Sequence, residues 1–501
     1  MRFIFCISFL VCGISLSAQH VKQGELYSFE KDFFPISMPG FYKNECVLVR
    51  ANSDKREPLI QDIRIEFFDT SSLNRTHTWP INGLFENRQL FYPEDIRIWN
   101  GQLCVLGSSF DKQNKSNTLH CLTIDSLGKI GKKTQLQTSE TNHFEINKKR
   151  FHIIGNSKQD NLAVVSLNEM QESKTQKLNL NVFDRNFQEI KSLSVQLPFQ
   201  GENAQIEDIL LDEYGNVHLL LKGNKLNESL DVVYSVFAFP VMNDEVLEYQ
   251  LNIPGKVVSS LKMSLDHGEK LLISGLLRDE FQKKSQISSV FFLRINREKG
   301  TIETKGIHRI DGDFKSRFIG EERQLGAEEF TDYKTQQIIP NGKEGIQLIA
   351  EKISTEEVCE TDYRTGLEMC QTQFNAGKIF IVSFNERAEI DWYQTINKEQ
   401  ESQDDEGITL SFLYLEGQSD VRKFFYNDLD QKNGKATNKL YGTEKSQLNE
   451  VLLDGNGQIS MQSVSLERPI FPSMYFKPNN RTAYSIGQSN GKSLLIRLDT
   501  Q

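Results

Sequence analysis

The stretch TLHCLTIDSLGKI, residues 118–130, decides the fold. An apolar run closes on Ile124-Asp125, passes through Ser126-Leu127-Gly128 and re-enters at Lys129-Ile130. Aspartate bonds its own backbone two residues on, and glycine takes positive φ without steric cost, so the pair writes a tight turn between two strands. The element recurs at Phe68-Asp69, Phe183-Asp184, Met242-Asn243, Ile295-Asn296 before Gly300, Phe384-Asn385 and Leu453-Asp454 before Gly457, with Leu498-Asp499 as an eighth. Upstream of most copies lies a second hairpin signal, Asn100-Gly101, Gly215-Asn216, His267-Gly268 or Asn341-Gly342, each followed by a dense apolar strand. Each repeat therefore holds about four antiparallel strands, which is the mark of a propeller blade.

The spacing predicts an all-β fold, a β-propeller of four-stranded antiparallel blades, with eight blades and seven as the alternative. The last repeat carries apolar runs at 474–476, 483–486 and 494–498, and the chain ends before a fourth strand. Residues 24–29, Gly-Glu-Leu-Tyr-Ser-Phe, are expected to supply it and close the ring, since an open set of blades would leave strand edges exposed. One long gap, between Asn296 and Asn385, calls for two insertions: near 312–333, with a short helix over 314–330, and near 353–376. Alanine is scarce and no other segment reads as helix. No proline- or serine-rich linker interrupts the series, so residues 19–501 are taken as a single propeller domain.

The N-terminus reads Met1, Arg2, an apolar run over 3–14, then Ser15-Leu16-Ser17-Ala18, the order of a secretory signal peptide. No later stretch approaches the ~20 apolar residues that span a bilayer. The expected product is an exported protein of periplasm or medium with no transmembrane segment. The net charge is −10, and loss of Arg2 makes it one unit more negative. Such a surface repels nucleic acid and anionic lipid.

In an oxidising compartment, cysteines near in sequence are read first as disulfides. Cys104 and Cys121, on runs that would pair as neighbouring strands, are expected to bond. So are Cys359 and Cys370, whose flanks fold back about Arg364-Thr365-Gly366. Cys46 has no local partner and is expected to be a buried free thiol.

The segment from Ile390-Asp391-Trp392 through Ile396, Lys398, Gln400, Ser402, Asp404-Asp405 and Gly407 to Phe425-Tyr426-Asn427-Asp428 resembles a pattern in uncharacterised secreted, β-propeller-like proteins of Bacteroidota. The resemblance covers about a tenth of the chain. It implies a bacterial envelope protein and brings no activity with it.

No motif assigns a catalytic, cofactor-binding or metal-binding residue. Gly487-Gln488-Ser489-Asn490-Gly491 fits the G-x-S-x-G pattern, but its flanks are two strands, where a nucleophile elbow needs a strand and a helix. Asp428, Asp430, Asn433 and Gly434 place oxygens at alternate positions, with the glycine too late for a calcium loop. Asp404-Asp405-Glu406 reads as a solvated turn, single histidines such as His218 as packed or solvated, and Trp79, Trp99 and Trp392 as packing residues. Carboxylates are numerous enough for a glycosidase-like pair to form in space, but the sequence picks none. Two functions remain open: a non-enzymatic binding or scaffold protein of the bacterial envelope with a protein or glycan partner, and an envelope hydrolase or lyase acting on glycan or peptide at the central funnel.

Overall fold

A computed structural model describes residues 20–500 apart from 31, 54–59, 82–90, 142–149, 157–160, 169–174, 201–203, 225–231, 252, 267–269, 281–285, 298–299, 311–329, 342–343, 362–363, 365–367, 418–419 and 429–445. The helix expected over 314–330, most of the 312–333 insertion and the leader at 1–18 lie outside the described residues.

Eight antiparallel sheets follow one another along the chain, and the protein is an eight-bladed β-propeller. Blades 1 to 7 span 33–81, 91–140, 152–200, 205–250, 256–309, 333–396 and 413–466. Blade 8 takes three strands from 470–499 and its outer strand from the N-terminus: Val21–Gln23 pairs with Lys492–Asp499, and Tyr27–Ser28 continues along the same edge. The N-terminus closes the ring as expected, but of the expected segment 24–29 only Tyr27–Ser28 pairs, and the longer pairing is made by Val21–Gln23 just before it. Among the described residues no α-helix occurs.

The middle strands of each blade are packed on both sides by neighbouring blades, so they read as unbroken apolar runs. Ser289–Asn296 is buried at every position but its last, whereas the outer strand Thr301–Arg309 is exposed or half-buried throughout. The core is consequently a ring of eight apolar seams, one between each successive pair of blades. The seam that joins blade 8 to blade 1 sets Phe471, Tyr484, Ile486 and Leu495 against Met38, Cys46, Leu48 and Phe68.

A buried polar lock sits at the same joint. Arg50 of blade 1, 1% exposed, donates to Glu66 (2.9 Å), to Gln488 Oε1 (2.7 Å) and to Ser493 Oγ (2.9 Å) of blade 8, and to the Tyr27 hydroxyl (3.1 Å) of the N-terminal segment. Tyr27 in turn donates to Glu66 at 2.7 Å, and its ring lies 4.3 Å from the Arg75 guanidinium. One arginine thereby holds both ends of the chain and the first blade.

The turns that decided the fold are third-to-fourth-strand connections. In Asp125, Asp184, Asn385 and Asp454 a single side-chain oxygen accepts the backbone N–H groups two and four residues on, at 2.8 to 3.0 Å. The residue three after it takes positive φ: Gly128 at 76° and Gly457 at 82°, but Phe187 and Ala388 at 60°. In two copies glycine also makes room for a tryptophan of the preceding blade's outer strand. A Cβ on Gly128 would lie 3.0 Å from Trp79, and one on Gly457 would lie 2.8 Å from Trp392.

Because the strands alternate direction, first-to-second and third-to-fourth connections share one face of the ring. This is the turn face. The second-to-third connections emerge from the opposite face.

Candidate functional site

On that opposite face, among the described residues, one blade departs from the repeat. In blade 6 the second and third strands, Ile346–Thr361 and Glu368–Phe384, run 16 and 17 residues, against 8 for Val217–Asn224 and Val232–Phe239 of blade 4. The blade's first strand, Tyr333–Pro340, accompanies them only as far as Lys352. Beyond it a two-stranded ribbon continues in register from Ile353↔Ala376 to Thr361↔Glu368, so the 353–376 insertion is a projecting arm.

A two-stranded ribbon alone is marginal in water, and three devices stiffen this one. Cys359 and Cys370 stand directly opposite each other, Cα to Cα 4.0 Å, and form the expected disulfide. Gln400–Gln403 adds a short third strand along Gln373 to Ala376. The turn after it folds onto the arm's base. Asp404 donates its N–H to the Thr372 carbonyl (3.0 Å) and accepts the Thr372 N–H (2.9 Å), while Leu410 and Ala376 bury a small apolar cluster with Phe374. The acidic run read as a solvated turn is thus in part structural: Asp405 is buried and caps the N–H of Gly407.

Under the arm lies a charged pair out of contact with water. Lys398 Nζ is 2.6 Å from Glu351 Oε1, with side-chain exposures of 1% and 0%. Burial pushes the Lys398 amine below its ordinary value, and the Glu351 carboxylate beside it opposes that shift. Ser411 Oγ donates to Glu351 (2.5 Å), and Lys398 donates to the Ala376 carbonyl (3.2 Å) and to Gln400 (2.8 Å). Gln400 reaches the Asn427 carbonyl of blade 7, and Asn427 exchanges hydrogen bonds with the backbone of Ile470 in blade 8. The arm is therefore tied through polar contacts into three blades.

Alternation assigns the two faces of the ribbon. Thr355, Glu357 and the disulfide share one face, and Val358, Met369 and Gln371 the other. Val358 and Met369 are 40% and 61% exposed, an apolar spot in an otherwise acidic and polar ribbon. Glu357 clusters with the two cysteines in the one group of metal-ligand type among the described residues, but its sulfurs are spent in the disulfide.

The other expected disulfide is corrected. Cys104 and Cys121 are free, buried thiols in the seam between blades 2 and 3. The register sets Cys104 against Thr123 and Cys121 against Leu106. They are diagonal, not opposed, and diagonal neighbours stand ~7–8 Å apart, beyond ordinary disulfide reach. The two thiols interact instead, the hydrogen bond to Cys104 pushing Cys121 up and lowering Cys104. Cys46 is buried and free as expected.

The remaining motifs resolve into architecture. Asn490 and Gly491, at φ 51° and 73°, form a hairpin turn, and Ser489 lies in the strand before it opposite Lys492. Asp428 ends a strand and accepts from Asn449 (2.6 Å), while Asp430, Asn433 and Gly434 lie outside the described residues. Trp79 and Trp392 pack on the next blade's turn, and Trp99 is buried. What sequence reading missed is the buried support of the arm. Lys398, Gln400 and Asn427 stood in the segment that carried the family resemblance, but nothing local marks a lysine as buried.

No family model and no curated protein matches the sequence. Among solved structures, the Dos1 propeller aligns over 96% of both chains at 10% identity and a TM-score of 0.47. The β-propeller domain of the Trilobed protease from Pyrococcus furiosus covers 88% of this chain and 96% of its own, at 8% identity and 0.37. A variant of apocarotenoid oxygenase from Synechocystis covers 89% and 93%, at 9% and 0.37. Likeness at this level carries no activity across.

Proposed function

We propose that this chain is an exported, non-enzymatic binding or scaffold protein of a bacterial envelope, and that its partner docks on the face from which the arm of blade 6 projects. The observation that carries the reading is the arm itself. Among the described residues one blade extends a ribbon clear of the ring, clamps it with a disulfide and roots it in a buried ion pair. Such a device breaks the symmetry of the propeller at blade 6, and it presents Val358 and Met369 to solvent on a rigid support. The disulfide fits an oxidising compartment, in keeping with the leader-like N-terminus.

The test is to replace residues 355–373 by a short Gly-Ser turn and to capture partners from the native envelope with tagged wild-type and armless proteins. The melting temperature should stay unchanged, because the replaced residues lie outside the eight apolar seams. Recovery of the partner should fall at least about tenfold. Equal recovery by a stably folded armless protein would remove the arm as the docking element.

A further inference from the structure

A second site lies on the turn face, on the other side of the ring from the arm. There the 212–216 and 240–246 connections of blade 4 meet the Arg297 turn of blade 5 around a cleft of about 520 Å³. That volume lies within the range of small-molecule sites. Leu247, Ala238 and Pro240 supply its apolar lining, and Tyr214, 53% exposed, lies among the lining residues.

His218 lines the same cleft from the second strand of blade 4. It is 2% exposed, and neither ring nitrogen reaches a hydrogen-bond partner among the described residues. Its Nε2 stands 3.7 Å from Asp212 Oδ2. Asp212 is already committed: Oδ1 accepts the N–H groups of Tyr214 (2.9 Å) and Asn216 (2.8 Å), and Oδ2 accepts the Asn216 amide (2.9 Å) and pairs with the Arg297 guanidinium. Nδ1 meets no hydrogen-bond partner and Nε2 only this long contact to Asp212, so burying the imidazole here is costly, and the architecture does not ask for it. The position that matches His218 in the register of blade 5 is Leu272, fully buried and apolar.

We propose that this cleft binds a short neutral oligosaccharide. The aromatic ring of Tyr214 offers a stacking face for the apolar side of a sugar ring. His218 offers its two ring nitrogens to ring hydroxyls, and Asn243 and Glu245 add an amide and a carboxylate. Charge decides against an anionic ligand. The Arg297 cation is matched by Asp212, and Glu245 leaves the cleft negative. The site stands independently of the arm, since no residue is shared.

Saturation-transfer NMR of the mature protein against a panel of neutral gluco-, manno-, xylo- and galacto-oligosaccharides tests it, with shift changes followed on nitrogen-15-labelled histidine. At least one member should bind and move the His218 resonance. Tyr214→Ala, at an exposed position, should weaken binding by on the order of tenfold. His218→Leu, which copies blade 5, should abolish binding with the melting temperature unchanged or raised. The proposal is overturned if no member binds at millimolar concentration, if binding survives both substitutions undiminished, or if only acidic saccharides or peptides bind.

Discussion

Lys398 and Glu351 illustrate how a single buried pair can be indispensable in place and dispensable in kind. Taking both charges out of water costs nearly what their attraction returns, but removing one partner strands the other. Lys398→Met should therefore lower unfolding stability by about 3–5 kcal/mol, and adding Glu351→Leu to the same chain should restore most of the loss, read from urea midpoints. A double variant no more stable than the single one would contradict this view of the pair. The cysteines give a second test at this scale. Burial pushes the Cys46 thiol up to about 12, so it should not react in the folded protein. The mature chain should show no reactive thiol when native and three when denatured without reductant; a count of one would mean that Cys104 and Cys121 are bonded after all.

At the scale of elements, the repeated turn works through one oxygen and two N–H groups. Asp454→Asn should keep protection from hydrogen exchange at the amides of Asn456 and Gln458, as Asn385 does for its own turn, and Asp454→Ala should lose it at both. Where the turn residue is an aspartate, its charge matters as well. Backbone N–H groups hold the Asp125 carboxyl below the usual carboxylate range, those of Lys129 and Leu127 most strongly. A depressed folded pKa means that this contribution is present above the unfolded value of ~3.9 and is lost as pH falls through the folded value. Carbon-detected titration of Asp125 should place its midpoint below that of an unfolded peptide, with the amide shifts of Leu127 and Lys129 moving in step. These turns were legible in the sequence because their chemistry is confined to five consecutive residues. The stacking of Trp79 on Gly128 and of Trp392 on Gly457 was not, since each contact joins an outer strand to the next blade's turn. The same limit explains the Cys104–Cys121 error: the pairing of the strands was read correctly, but a register offset of two residues is invisible without the turn that sets it.

For the whole molecule, the repeat count and the closing strand could be read from turn spacing and from a last blade that lacked its fourth strand. What could not be read are the contacts that make closure hold, such as Arg50 to Gln488 across 438 residues. His218 escaped for a similar reason, because its cleft is assembled from two blades and its strand alone looks ordinary. The two faces also follow from closure: short side-chain-capped turns and the His218 cleft on one, the clamped arm on the other. Ring closure by the N-terminal strand is thus the feature on which both faces depend, and a cross-strand bond tests it. Lys22 and Arg497 face each other across that pairing, with Lys22 exposed and Arg497 partly so. They stand at a hydrogen-bonded position, where Cα atoms lie ~5.5 Å apart, within disulfide reach. The mature double variant Lys22→Cys, Arg497→Cys should oxidise within one chain, and mass spectrometry of the unreduced digest should recover the linked peptides from the two termini. Two thiols that stay free, or that link only one chain to another, would show that the N-terminal strand does not complete the eighth blade.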